Sequence, residues 1–146
     1  MGLFDEVRLL RKEAVCSQGH DLTGTVFQTK DLGQTMGQFT ISTTISGKDG
    51  GYGYLDKSKP FLGRICIYGS CEECPALIQD KTFNLIPTCV EFEIDIVYGK
   101  VKKVVRTSKN TTEQLIEEKN QSYMKNCIGP VSYQEAVKIQ RKKRGY

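Results

Sequence analysis

Val90-Glu91-Phe92-Glu93-Ile94-Asp95-Ile96-Val97-Tyr98-Gly99-Lys100-Val101-Lys102-Lys103-Val104-Val105-Arg106 is the stretch on which the fold turns. From Val90 to Val97 apolar and acidic residues alternate, with Val90, Phe92, Ile94 and Ile96 on one side and Glu91, Glu93 and Asp95 on the other. A period of two is that of a strand, whose successive side chains leave opposite faces, and the β-branched residues suit a pleated, half-buried surface. Tyr98-Gly99-Lys100 supplies a turn and Val101 to Arg106 runs back, so the spacing predicts a β-hairpin over residues 90–106. Lys102, Lys103 and Arg106 return beside the carboxylates, which explains the acidic stripe as cross-strand charge pairing on a solvated face. Carboxylates two residues apart can also hold a divalent cation, so a metal-dependent nuclease using Glu91, Glu93 and Asp95 is one alternative.

Upstream of this hairpin the same period recurs. Leu62 to Tyr68 places Ile65 and Ile67 on one side and Cys66 and Tyr68 on the other, and Gly37 to Gly47 alternates Phe39, Ile41, Thr43 and Ile45 with Thr40, Ser42, Thr44 and Ser46. Both read as strands. Residues 3–12 fit a strand or a short helix, and we read them as a strand. Between these segments, Cys16-Ser17-Gln18-Gly19-His20 is a tight turn built on Gly19, and Gly47 to Tyr54 is a glycine-rich loop closed by Pro60.

Downstream the character changes. Thr111 to Asn126 is rich in Glu, Gln, Lys and Leu, with Asn110 or Thr111 as a cap, and Gly129-Pro130 interrupts it. A second helix is expected from Ser132, where Ser132 and Glu135 make a capping box. Strands first and helices last predict an α+β fold: an antiparallel β-sheet or small β-sandwich core followed by two C-terminal helices. The 146 residues suffice for one domain with its own core, divided into a β-rich body over 1–108 and a helical, basic extension over 109–146.

An apolar fraction of 38% and a charged fraction of 26% belong to a water-soluble globular chain. No stretch approaches the ~18 consecutive apolar residues of a membrane span. Met1-Gly2-Leu3-Phe4-Asp5-Glu6 shows no basic region followed by an apolar run, and Glu6 stands where N-myristoylation wants Ser or Thr, so a cytoplasmic chain with a free N-terminus is expected. In that compartment the six cysteines are expected to be reduced, packed as small hydrophobes or bound to metal.

Cys71-Glu72-Glu73-Cys74 sets two thiols at zinc-knuckle spacing, and Cys16 with His20 adds a thiolate and the chain's one imidazole at a chelating separation. Together Cys16, His20, Cys71 and Cys74 would complete a tetrahedral Cys3His site for structural zinc, pinning loops that are distant in sequence. The plainer alternative is thiols at strand ends with a surface histidine, and a redox pair Cys71/Cys74 is a third. Nucleophilic catalysis finds no support, because one histidine serves the whole chain and no serine or cysteine sits in a recognisable elbow. The expectation is a protein without an enzyme centre.

Net charge is +4, and its distribution is uneven: Lys138, Arg141, Lys142, Lys143 and Arg144 all fall among the last nine residues. Such an arm suits docking on nucleic-acid phosphates or on a partner, with Tyr52 and Tyr54 of the glycine-rich loop placed to stack on bases. The alternative is a solvated terminus that favours solubility.

Several fragments resemble a group of small uncharacterised bacteriophage and prophage proteins. They are Met1-Gly2-Leu3-Phe4-Asp5, Phe27-Gln28-Thr29-Lys30-Asp31-Leu32, and Val90-Glu91-Phe92-Glu93 with Tyr98-Gly99-Lys100-Val101. Members of that group often have a fuller Cys-x-x-Cys before the Phe-Gln-Thr-Lys segment. This chain has Cys16 and His20, so a first ligand half requires His20 in place of a thiol. The resemblance implies a viral protein of the host bacterial cytoplasm and carries no mechanism with it. With the small size and the basic arm, it leads to the expectation of a non-enzymatic phage accessory protein that binds and inhibits or redirects a host macromolecule, such as a protein complex of anti-phage defence. The alternatives are a nucleic-acid-binding module using the C-terminal arm and a virion structural component.

Overall fold

A computed structural model gives the fold and describes residues 4–32, 36–47, 63–79, 81–107, 127–143 and 145. These contain ten strands: β1 (Asp5–Leu9), β2 (Val26–Thr29), β3 (Gln38–Ile41), β4 (Ile45–Gly47), β5 (Gly63–Cys71), β6 (Ala76–Gln79), β7 (Leu85–Ile86), β8 (Thr88–Val97), β9 (Lys100–Arg106) and β10 (Cys127–Val131). One helix follows among the described residues, α1 (Tyr133–Lys143).

The expected fold class is therefore corrected. Among the described residues the protein is mostly β with one short C-terminal helix, and Cys127–Val131, which follows the first expected helix, is a strand. The stretch 111–126 expected for that helix lies outside the described residues. The sheet is not purely antiparallel either, because β1 pairs parallel with β3, Val7 opposite Phe39.

The described residues form two compact units. The first is a seven-stranded sheet in the order β4-β3-β1-β2-β5-β8-β9. Its two end strands meet at an isolated bridge between Thr44 and Lys100, where Ile45 N donates to Gly99 O (3.0 Å) and Val101 N donates to Thr43 O (2.9 Å), so the sheet nearly closes into a barrel. These hydrogen bonds cover the start of β9, part of a sheet edge that would otherwise offer unpaired backbone groups.

Alternation fills the interior. Val7, Leu9, Phe27, Ile41, Ile45, Ile65, Ile67, Val90, Phe92, Ile94 and Ile96 are all fully buried, each contributing ~1.5–3 kcal/mol of apolar burial if large. The Phe27 and Phe92 rings meet edge to face with centroids 5.7 Å apart. The 90–106 hairpin stands as expected, its two-residue turn at Tyr98 (φ 52°) and Gly99 (φ 72°) having the left-handed backbone that matches strand twist. The single strand expected over 37–47 is a hairpin instead. Ser42 N donates to Thr44 O (2.9 Å), and Ile41 pairs with Ile45, so small polar residues turn the chain while both isoleucines stay inside.

The second unit comprises Ser17–His20, Ser70–Cys89 and the described part of Lys109–Tyr146. Its sheet has the order β10-β6-β7. The segment after residue 69 thus contributes two strands to a small sheet. Ala76 and Ile78 of β6 face Ala136 of α1, flanked by Tyr133 and Ile139, while Leu77 packs with Cys127 and Ile86. Because β6 is covered on both faces, it shows no apolar-polar alternation. Helix α1 begins as expected, with Glu135 N donating to Ser132 Oγ at 3.2 Å.

Candidate metal centre

Cys71 is the last residue of β5, and Glu72 and Glu73 turn the chain to Cys74 and Pro75 ahead of β6. The residue before a proline is held extended, which directs the chain out of the turn and into β6. Buried Thr88 fixes this exit, its Oγ donating to Pro75 O. On the other loop, Val15 and Asp21 form an antiparallel bridge and Leu22 N donates to Ala14 O at 2.8 Å. Cys16 and His20 flank the tip of the loop so closed. Gly19, with φ 85°, supplies a backbone conformation that residues with a Cβ rarely take. Asp21 Oδ1 accepts from Thr23 N (2.9 Å), and hydrogen bonding from the Thr23 side chain, together with this backbone bond, holds the Asp21 carboxyl below the usual carboxylate range.

The ligand atoms of Cys16, His20, Cys71 and Cys74 all lie within 4.8 Å of one another. His20 directs Nδ1 at two of the sulfurs, 3.5 Å from Cys71 Sγ and 3.3 Å from Cys74 Sγ. The three cysteines are buried and His20 is partly exposed. In a tetrahedral site with Zn–S near 2.3 Å and Zn–N near 2.0–2.1 Å, ligand atoms stand about 3.5–3.8 Å apart. The observed spacings need at most about 1 Å of closure to reach that geometry. The donor set, three soft thiols and an imidazole, is one that can hold a metal ion. None of the six cysteines is in a disulfide.

Of the remaining cysteines, Cys89 is exposed, Cys127 is packed beside Leu77, and Cys66 is partly buried. Burial pushes the Cys66 thiol up, and the nearby Glu91, Asp31 and Glu93 carboxylates add to the effect, which disfavours a reactive thiolate.

The acidic face of β8 has a partner beyond the cross-strand cations expected. Arg64 on β5 takes both Asp95 (Nε to Oδ1, 2.8 Å) and Glu93 (Nη1 to Oε2, 3.3 Å). Of the three basic residues expected to pair with the stripe, Lys103 stands opposite Asp95, and Arg106 donates to Val15 O at 3.2 Å. Among the described residues the carboxylates of this face form no group suited to a metal ion. Arg64 was missed because only the strand order brings β5 beside β8.

Lys138, Arg141, Lys142 and Lys143 are exposed on α1. Arg144, Tyr52 and Tyr54, the other residues expected to contact a partner, lie outside the described residues. The opposite face of α1 approaches the turn between Cys71 and Cys74. Burial pushes the Tyr133 phenol up, and the Glu72 carboxylate with which it hydrogen-bonds adds to this. Nothing in the local sequence signals that contact. Among the described residues no helix is long and apolar enough to cross a membrane. In comparisons with known proteins, no family model, curated protein or solved structure matches the chain.

Proposed function

We propose that this chain is a non-enzymatic binding protein whose loops are organised by a structural zinc ion held by Cys16, His20, Cys71 and Cys74. The observation that carries the reading is the donor set itself: four protein ligands gathered within 4.8 Å, three of them buried. A tetrahedral ion with four protein ligands has no open position for water or substrate, which is the arrangement of structural sites, whereas catalytic zinc keeps one position open. The ligands come from two loops some fifty residues apart, and closing so long a loop gains much from a metal clip.

The binding role is supported by chemistry that is committed elsewhere. Glu93 and Asp95 are tied to Arg64, and the single imidazole faces two thiols. In keeping with its resemblance to small phage proteins, the chain acts in this reading as an accessory factor on a host macromolecule, blocking or redirecting it. Elemental analysis of protein purified without an affinity tag tests the foundation. One zinc per chain is expected, lost on Cys74→Ser replacement; a folded protein without stoichiometric metal would overturn the reading.

A further inference from the structure

Helix α1 buries one face, and four of its exposed residues are cations. Ala136, with Tyr133 and Ile139 beside it, packs on Ala76 and Ile78 of β6. The exposed face carries Lys138, Arg141, Lys142 and Lys143, and the helix's one acid, Glu135, sits in its first turn. None of these four cations is in an ion pair among the described residues. Lys138, Arg141 and Lys142 stand at i, i+3 and i+4, neighbours ~5–6 Å apart on one side. Attraction to the negative end of the helix dipole accounts for cations in the last turn and does not reach Lys138.

We infer that this face of α1 binds the phosphodiester backbone of nucleic acid, without reading sequence. The inference rests on the binding role proposed above and names its partner class. What selects nucleic acid over an acidic protein is that the described residues of this unit present no exposed large hydrophobic side chain. The exposed large hydrophobic side chains among the described residues are Leu10, Val26, Met36, Tyr98 and Val105, none of them on α1 or elsewhere in its unit. Protein interfaces have an apolar centre depleted of lysine, whereas interfaces with nucleic acid are polar and positively charged. A membrane surface is disfavoured for a related reason: the apolar face an interfacial helix would insert is already packed on the sheet.

The test uses the full chain, zinc content measured on the same sample, and four probes: a random-sequence DNA duplex, an RNA duplex, single-stranded RNA and an acidic peptide. Binding to a nucleic-acid probe is expected regardless of sequence, and comparing the three identifies the preferred source of phosphate. For the DNA duplex log K should fall against log salt with a slope of about −3 to −4, the value for roughly four neutralised phosphates. Changing Lys138, Arg141, Lys142 and Lys143 together to Gln should weaken binding at least about tenfold and flatten the slope, with thermal stability retained. The charge control K12Q/K102Q/K103Q should bind within about twofold of the parent chain, because those exposed cations lie on other elements. Absence of binding at low salt, binding indifferent to the quadruple change, or binding of the peptide alone would overturn the inference. Stoichiometric zinc without nucleic-acid binding sinks this inference and spares the zinc reading, and binding without zinc does the reverse.

Discussion

His20 Nδ1 stands 3.3 Å from Cys74 Sγ, so the ring offers its inner nitrogen to the sulfurs and leaves Nε2 on the far side. In a metal-bound state Nδ1 is the ligand and Nε2 carries the proton, a tautomer that long-range nitrogen-proton NMR on the zinc-loaded protein should report. Chelation should lower Tm by more than about 8 °C, since a ligand held a thousandfold above its dissociation constant contributes ~4 kcal/mol. A Tm indifferent to chelator would argue that the four side chains hold their places without an ion.

Gly69 is where the barrel tolerates no side chain. A Cβ there would lie 2.7 Å from Phe27 Cδ1 and 3.0 Å from Cε1. The ring cannot swing away freely, because it is fully buried and meets Phe92 edge to face. Gly69→Ala should destabilise by ~1–3 kcal/mol, the usual cost of overpacking a filled core. Pairing it with Phe27→Leu should cost less than the two single changes combined, a non-additivity that denaturant titrations would measure.

How far the sequence discloses this fold depends on how local each signal is. The 90–106 hairpin was legible because one of its faces is apolar, the other charged, and Tyr98-Gly99 can take the turn. Residues 37–47 misled because Ile41 and Ile45 lie four apart, a spacing that one strand and a tight hairpin satisfy equally. The small sheet was hidden, since Ala76-Leu77-Ile78 is buried on both faces and β10 contains Gly129-Pro130, which reads as a break. The Cys/His cluster was legible from Cys-x-x-Cys and Cys-x-x-x-His spacing, since short intervals of that kind keep each pair of side chains together locally. Arg64 as a partner of the acidic face was not, because it depends on which strands become neighbours.

Where β2 leaves β5, side chains take over the ladder. Buried Thr29 donates from Oγ to Cys66 O (2.8 Å) and accepts from Asp31 N (3.1 Å), while Asp31 Oδ2 accepts from Cys66 N (2.8 Å). Thr29→Val keeps the shape and strands both backbone groups, at an expected cost of ~1–3 kcal/mol. Asp31→Asn retains an acceptor for Cys66 N and should cost less than Asp31→Ala. Equal losses for those two would show that the carboxylate's charge, and not its accepting oxygen, supports the strand.

Arg64 couples two strands to pH. Its hydrogen bond to Asp95 is the main cause that holds that carboxyl below the usual range, with the Coulomb attraction of Arg64 and Lys103 acting the same way against desolvation. A carboxyl whose pKa is lower in the folded than in the unfolded chain contributes stability above the unfolded pKa, and that stability is lost as pH falls through the folded value. The contribution is therefore full at neutral pH and disappears in acid, below the ordinary aspartate range. Arg64→Gln should move the Asp95 titration midpoint upward in carbon-detected NMR and flatten the acid limb of stability against pH. The change at neutral pH should be small, because the pair is solvent-exposed and such pairs are screened. An Asp95 midpoint that stayed put in Arg64→Gln would mean that Lys103 and the backbone, rather than the guanidinium, set its acidity.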